Sequence, residues 1–206
     1  HGTEWAQTQL FWQHLHSRWE QWSKEMSEVA AGVLQAQLEA INGHVDQGKW
    51  LTRQQTEGLQ QQIRSAFDAL PLPVARLASF DNCRELWRQC QAWLADVEGR
   101  RAQHNQAWTD AMLKKYADFF TGIESSPLNP AQARAVVNGE SSLLVLAGAG
   151  SGKTSVLVAR AGWLMARGEA APDQILLLAF GRKAAQEMDA RIRERLHTAE
   201  ITARTF

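Results

Sequence analysis

Residues 141–154 read SSLLVLAGAGSGKT, an apolar run that empties into a glycine-rich loop closed by Gly152, Lys153 and Thr154. Such a loop can aim successive backbone N–H groups at phosphate. Its lysine would reach the β and γ phosphates of a nucleotide, and its threonine hydroxyl can ligate Mg²⁺. The candidate phosphate-binding set is Ala147, Gly148, Ala149, Gly150, Ser151, Gly152, Lys153, Thr154 and Ser155. Lys153 and Thr154 stand nearest the chemistry, and Thr154 is the side chain aimed at the metal ion. The strict motif has glycine at 147, where this chain has Ala147. A glycine-rich turn that binds nothing is the competing reading.

The elements that must position the loop argue against that reading. Residues 142–146 form the short, unbroken apolar run of a buried parallel strand, and TSVLVARAGWLMA from Thr154 has helical periodicity. Phosphate would then sit at a helix N-terminus, where free N–H groups and the macrodipole favour negative charge. A second strand is expected over 174–180, a helix over 181–196 and a third strand from about 201. Right-handed crossovers would lay these side by side as a small parallel sheet. A parallel sheet is normally covered on both faces. An exposed edge or apolar face is expected here, filled by helices of the first part or by a neighbouring molecule.

The surrounding residues narrow the class. Leu128-Asn129-Pro130-Ala131-Gln132 precedes the loop, Phe180-Gly181-Arg182-Lys183 follows the second apolar run, and Thr205-Phe206 closes the chain. This series resembles the amino-terminal part of the first motor domain of UvrD/Rep-like superfamily-1 helicases. In that family the loop reads AGAGSGKT, so Ala147 is the expected residue, and the resemblance extends over essentially the whole chain. It implies ATP and Mg²⁺ as cofactors and single-stranded DNA as partner. It implies that Gln132 reads the adenine edge, to which an amide can both donate and accept; without the loop nearby Gln132 would read as a solvated first-turn residue. Phe180, Gly181, Arg182 and Lys183 match the family's first single-strand contact, a ring for base stacking followed by phosphate holders. For Phe180 the alternative is the last core residue of its strand. Thr205 and Phe206 match the start of a further DNA-contacting motif.

No apolar strand ends in Asp-Glu, the carboxylate that holds Mg²⁺ in P-loop chemistry. Leu94-Ala95-Asp96-Val97-Glu98 has helical neighbours instead. There is no second motor domain to supply an arginine to the γ phosphate. A fragment of a larger enzyme is therefore expected, one that does not hydrolyse ATP at a helicase rate by itself.

Charge is balanced at 22 basic and 22 acidic residues, so no global basic field advertises nucleic acid. Residues 126–206 carry +3 and residues 1–125 carry −3, a mild bias in the direction DNA contact needs. Cys83 and Cys90, seven apart on a helix, are about 10 Å apart and cannot pair. They read as buried free thiols in a reducing cytoplasm. The histidines share no metal-ligand spacing, and no apolar run is long enough to span a membrane.

Eight of nine tryptophans precede residue 126. Trp5, Trp12, Trp19, Met26 and Val33 recur every seven residues, with Thr8, Leu15, Trp22, Val29 and Ala36 between them. That repeat predicts a long helix packed lengthwise on another. Few Lys or Arg interleave with the rings, which favours core packing over base stacking. Asn42-Gly43 and Gly48 should end this helix, and Thr52 with Gln55 forms a capping box for a second one running to about Ala69. Pro71 and Pro73 stop it. Ser79 or Asp81 starts a third helix to about Gly122, with a bend or break near Gly99.

The fold class is therefore mixed. Residues 1–125 form an all-α helical bundle or antiparallel coiled-coil arm, followed at 126–206 by the start of an α/β, RecA-like P-loop domain. The leading function is an ATP-driven DNA translocase. The rival is an ATP-driven protein remodeller whose helical arm engages a partner such as RNA polymerase, as the resemblance implies for some relatives. Such an arm should expose acidic or aromatic residues at a tip near 42–49 or 70–77. A third reading has the helical part merely bracing the motor.

Overall fold

The computed structural model describes residues 2–46, 48–70, 73–148 and 150–205. The chain forms two compact units, residues 1–104 and 105–206. Helices α1 (Gly2–Asp46), α2 (Arg53–Asp68), α3 (Asp81–Ala95) and the start of α4 (Val97–Lys115) build the first.

The capping box at Thr52 is present: Gln55 N donates to the threonine hydroxyl at 3.2 Å, and Gln55 Oε1 accepts from Thr52 N at 2.9 Å. The expected end of α1 at Asn42-Gly43 is not observed. Ile41, just before them, is buried in the core, and the helix continues to Asp46 before Gly48 turns the chain at φ +59°. The long third helix is broken at Asp96 rather than at Gly99. Asp96 leaves helical geometry (φ −142°, ψ 56°), and its Oδ1 accepts from Gly99 N at 3.0 Å. A Cβ at 99 would stand 2.4 Å from that carboxylate, so glycine is what lets the cap close. A second break at Tyr116 separates α4 from α5 (Ala117–Gly122).

Helices α1 and α3 run parallel, which corrects the antiparallel arm. Cys83 Sγ donates to Ser27 O at 3.3 Å and Cys90 Sγ faces Leu34 O at 3.8 Å, the same offset one heptad apart. The core joins Ala30, Leu34, Leu38 and Ile41 of α1 to Leu59, Ile63 and Phe67 of α2 and to Cys83, Cys90 and Trp93 of α3. The buried face of α1 is therefore one residue out of step with the predicted seam, and Val29 stays exposed. Core packing also fails for Trp5, Trp12, Trp19 and Trp22, which are all exposed. The physical reason is reach: α3 begins at Asp81, opposite Ser27, so it leaves α1 uncovered before that point.

The second unit holds the rest of α4, α5, α6 (Pro130–Val137), α7 (Lys153–Ala166), β1 (Leu176–Ala179), α8 (Arg182–Leu196) and β2 (Thr202–Thr205). The two strands pair in parallel, with Leu176 opposite Thr202 and Ala179 opposite Thr205. Val158 and Ala161 of α7, with Ala185, Met188 and Ile192 of α8, cover Leu177, Ala179 and Ala203. Leu176 and Leu178 point to the other face and are exposed, the open apolar face expected of this sheet. The predicted strand 142–146 is absent. Leu144 and Leu146 are 82% and 86% exposed, because no described strand lies beside them to complete a ladder. Around Trp163, 1% exposed, the rings of Tyr116, Phe119 and Phe120 stand 5.0, 6.0 and 5.5 Å away.

Truncating Leu34 to alanine is expected to destabilise the helical unit by about 3 kcal/mol, because the parallel helices cannot collapse into the void; denaturant titration measures it. Desolvation raises the Cys90 thiol to about 11. Native Cys90 should therefore resist alkylation at pH 8 and react only on unfolding. The folded chain keeps a proton that the unfolded thiol sheds above roughly pH 8.5, so stability should fall from there towards pH 11. Wild-type and Cys90→Ala melts across that window measure the difference.

Candidate functional site

Helix α7 begins at Gly152, which is left-handed (φ 82°) and supplies no side-chain cap. Gly150 is also left-handed, at φ 72°. These two angles turn the chain sharply into the helix, a conformation that costs other residues about 1–2 kcal/mol. The first N–H groups of α7 are thus left without a side-chain acceptor, which is the arrangement an anion satisfies.

The loop is closed on itself by its own polar groups. Lys153 Nζ donates to Gly148 O at 2.7 Å and to Ala147 O at 3.1 Å. Ser151 Oγ also donates to Gly148 O, at 2.7 Å. Among the described residues the lysine therefore holds only neutral carbonyls. A phosphate oxygen would be a stronger acceptor for the same ammonium, since charge-assisted bonds are roughly twice as strong. Thr154 and Ser155 are half-buried in the first turn of α7. Ser155 Oγ accepts from Arg191 Nη1 of α8 at 3.3 Å. The uncapped turn, the Lys153 ammonium and the hydroxyls of Thr154 and Ser155 are of the kinds that fit a nucleotide triphosphate. Ala149 lies outside the described residues.

Gln132 is brought to this loop by α6. Asn129 caps that helix, and the box is reciprocal: Gln132 N donates to Asn129 Oδ1, and Gln132 Oε1 accepts from Asn129 N, both at 2.9 Å. Gln132 Nε2 then donates to Ser151 O at 3.0 Å. The contact is close enough that a Cβ on Gly152 would meet Nε2 at 2.5 Å. Gln132 is thus a half-buried first-turn residue of α6 whose amide is bonded at both ends.

Phe180 is 98% exposed, which removes the core reading of that ring. It follows β1, and Gly181 begins α8 without a side-chain cap, with Arg182 and Lys183 exposed in the first turn. Because Ala179 pairs with Thr205, Phe180 and the half-buried Thr205 lie at the same carboxyl edge of the sheet. Such edges are where open α/β sheets bind ligands. Phe206 lies outside the described residues.

Residues 128–206 match the family described as UvrD/REP helicase N-terminal domain, and residues 1–95 match the one described as DNA helicase IV / RNA helicase N terminal. The chain is 73% identical over all 206 residues to DNA helicase IV of Escherichia coli. It belongs to the UvrD/Rep-like helicases. Two further relatives match over about a third of the chain. DNA helicase II of E. coli is 49% identical over 73 residues, 35% of this chain and 10% of that protein. PcrA of Bacillus subtilis, an ATP-dependent DNA helicase, is 51% identical over 67 residues, 32% of this chain and 9% of its own length. The chain spans 30% of the length of DNA helicase IV.

Three polar anchors of this second unit escaped the sequence reading. Asp189 Oδ1 accepts from Ala203 N at 2.8 Å and ties α8 to β2. Arg191 ties α8 to α7, as above. Arg160 of α7 donates through Nη1 to Val136 O at 2.5 Å and to Asn138 O. A lone arginine in the apolar run VLVARAGWLM was the available signal for the last. The others lie on a helix rich in charge and carry no such mark.

Replacing Phe180 with alanine is expected to change stability by no more than about 0.5 kcal/mol, as for other exposed positions. A thermal melt showing a loss of about 2 kcal/mol or more would return the ring to the core.

Proposed function

We propose that this chain is the opening portion of the motor of an ATP-driven single-strand DNA translocase and helicase, belonging to a longer protein that works in the cytoplasm. Residues 126–206 supply the first nucleotide and strand contacts, and residues 1–125 are a helical accessory region. The observation that carries this reading is the start of α7: an uncapped helix N-terminus with Lys153 turned onto loop carbonyls and Gln132 tied to the same loop.

In this reading ATP binds at the N-terminus of α7. The backbone N–H groups of residues 148–155, from Gly148 to Ser155, receive the phosphates. Lys153 exchanges its carbonyl partners for β and γ phosphate oxygens and neutralises charge that builds during transfer. The Thr154 hydroxyl would provide one ligand to the Mg²⁺ that accompanies the nucleotide. Gln132 reads the adenine edge. Phe180 stacks on a base, while Arg182, Lys183 and the uncapped start of α8 hold backbone phosphates, and Thr205 and Phe206 extend the same track. The bond from Arg191 to Ser155 supports a mechanical link between the two tracks, because it joins the helix that follows Phe180 to the helix that follows the phosphate loop.

Packing around Trp163 supports bracing as the role of residues 105–122. Arg167 lies over both Trp108 and Trp163, at 5.5 and 5.4 Å from their ring centres. A second reading, an ATP-driven remodeller gripping a protein such as RNA polymerase, draws support from the uncovered aromatic stripe of Trp5, Trp12, Trp19 and Trp22. No helix among the described residues is long and apolar enough to cross a membrane.

Steady-state ATP hydrolysis by the full-length protein, with and without single-stranded DNA, separates the readings. Stimulation by DNA that falls at least about 100-fold in Lys153→Ala is expected, the scale of losing one positioned charge stabiliser. Hydrolysis untouched by the mutation would sink the nucleotide assignment. Hydrolysis lost in the mutant but indifferent to DNA would favour the remodeller.

A further inference from the structure

Helix α6 is tied to α7 at both ends. At its start, Gln132 reaches Ser151 O in the loop that opens α7. At its end, the Arg160 guanidinium gathers Val136 O and Asn138 O, carbonyls that the finished helix leaves without partners. Arg160 stands seven residues after Lys153, two turns along α7 and on the same face, about 10 Å further down the axis. Helix α6 therefore lies alongside the first two turns of α7 in the same direction, with one polar tie near the phosphate loop and another two turns on.

The side chain is costly to place there. Burial lowers the Arg160 pKa from its ordinary value, and the charge of Glu169 opposes that shift. Its hydrogen bonds go to backbone carbonyls rather than to a carboxylate, and cations are favoured at a helix C-terminus. Surface solubility does not explain a half-buried guanidinium whose bonds go to the end of one short helix. A clamp does.

What the clamp protects is the orientation of one amide. Gln132 Oε1 accepts from Asn129 N and Nε2 donates to Ser151 O, so the amide cannot flip without losing both. One acceptor position on Oε1 and one N–H on Nε2 remain. That pair matches the N6–H donor and N7 acceptor of adenine. Guanine presents two acceptors on the corresponding edge and leaves Oε1 unpaired. Discrimination of this kind depends on the amide being held: a free side chain would turn to suit either base.

We propose that Arg160 is a positioning residue for base selection: by fastening the end of α6 to α7 it sets Gln132 above the phosphate loop and so determines the preference for adenine over guanine nucleotides. The proposal rests on the adenine-reading role given to Gln132 above.

The test is the ratio of kcat/KM for ATP to that for GTP, measured in the full-length protein with single-stranded DNA. Arg160→Gln, which cannot span two carbonyls, is expected to lower the ratio at least about fivefold, through a raised KM for ATP with a much smaller change in kcat. Arg160→Lys keeps the charge but donates from a single point, and should fall between the two. Gln132→Ala should lose the preference, and adding Arg160→Gln to it should lower the ratio no further, since both act through one contact. A ratio within twofold of wild type in Arg160→Gln and Arg160→Lys, while Gln132→Ala loses it, overturns the proposal and leaves the role of Gln132 standing. Equal losses for both nucleotides also overturn it, because they mark a structural effect. If Gln132→Ala keeps the preference, the adenine assignment falls and the proposal with it. Should Arg160→Gln fail to fold, the Arg160→Lys ratio decides.

Discussion

Helix α7 is held on several sides at once, and the geometry of the phosphate loop depends on that. Val158, Ala159, Ala161 and Trp163 are each no more than 2% exposed. Val158 and Ala161 pack against the strands, Trp163 against the rings of residues 116–120, and Arg160 fastens the end of α6. At Gly162 a Cβ would meet Leu196 at 2.7 Å and Ile123 at 3.2 Å, so even one methyl would push neighbours aside. Close-packed interiors transmit such constraints, since side chains have few alternative arrangements. The end of α7 that bears Lys153 is consequently a fixed point, while the loop before it turns on glycines.

Around that fixed point, polar ties run outward in a short series. Gln132 joins the loop to α6, Arg160 joins α6 back to α7, Arg191 joins α7 to α8, and Asp189 joins α8 to β2. The tie from Gln132 is a neutral bond worth about 1 kcal/mol net, and the other three involve a charged side chain, a class worth about 1.5–3 kcal/mol. Their interest lies in direction. A change at the phosphate loop and a change at Phe180 act on helices that share the Arg191 to Ser155 bond.

The helical unit is organised differently. Its core is a parallel pair, α1 and α3, brought into register by α2, and its two cysteines lie on that seam as small buried thiols. The rings at the start of α1 take no part in it. Trp19 and Trp22 contact one another at 5.2 Å, and Phe11 and Trp12 at 6.2 Å, on an otherwise open helix. The same residue type thus does two jobs in this chain: Trp93 and Trp163 fill cores, while Trp5 and Trp12 remain in solvent.

Local features were legible in the amino-acid sequence because their partners lie within four residues. The capping box at Thr52, the glycine-turned loop, the stop after Asp68 and the helical runs of α7 and α8 are of this kind. Hydrophobic period alone predicted a seam on α1, yet it could not say which neighbour would cover it or where that neighbour would begin. A break near Gly99 was legible, but an aspartate suits a helix interior or a cap according to its neighbours, so only the structure places it at Asp96. Residues 142–146 read as a strand from composition, but a strand exists only with a hydrogen-bonded neighbour, and that is a property of the whole sheet. By itself the sequence determined the family, the glycine-turned loop and the helical runs that flank it, since these rest on residue type and short spacing. Tertiary structure alone decided that α1 and α3 run parallel, that Phe180 stands in solvent, and that Gln132 and Arg160 hold α6 against α7. Those facts depend on contacts between residues 19 to 56 apart, whose closure no local pattern encodes.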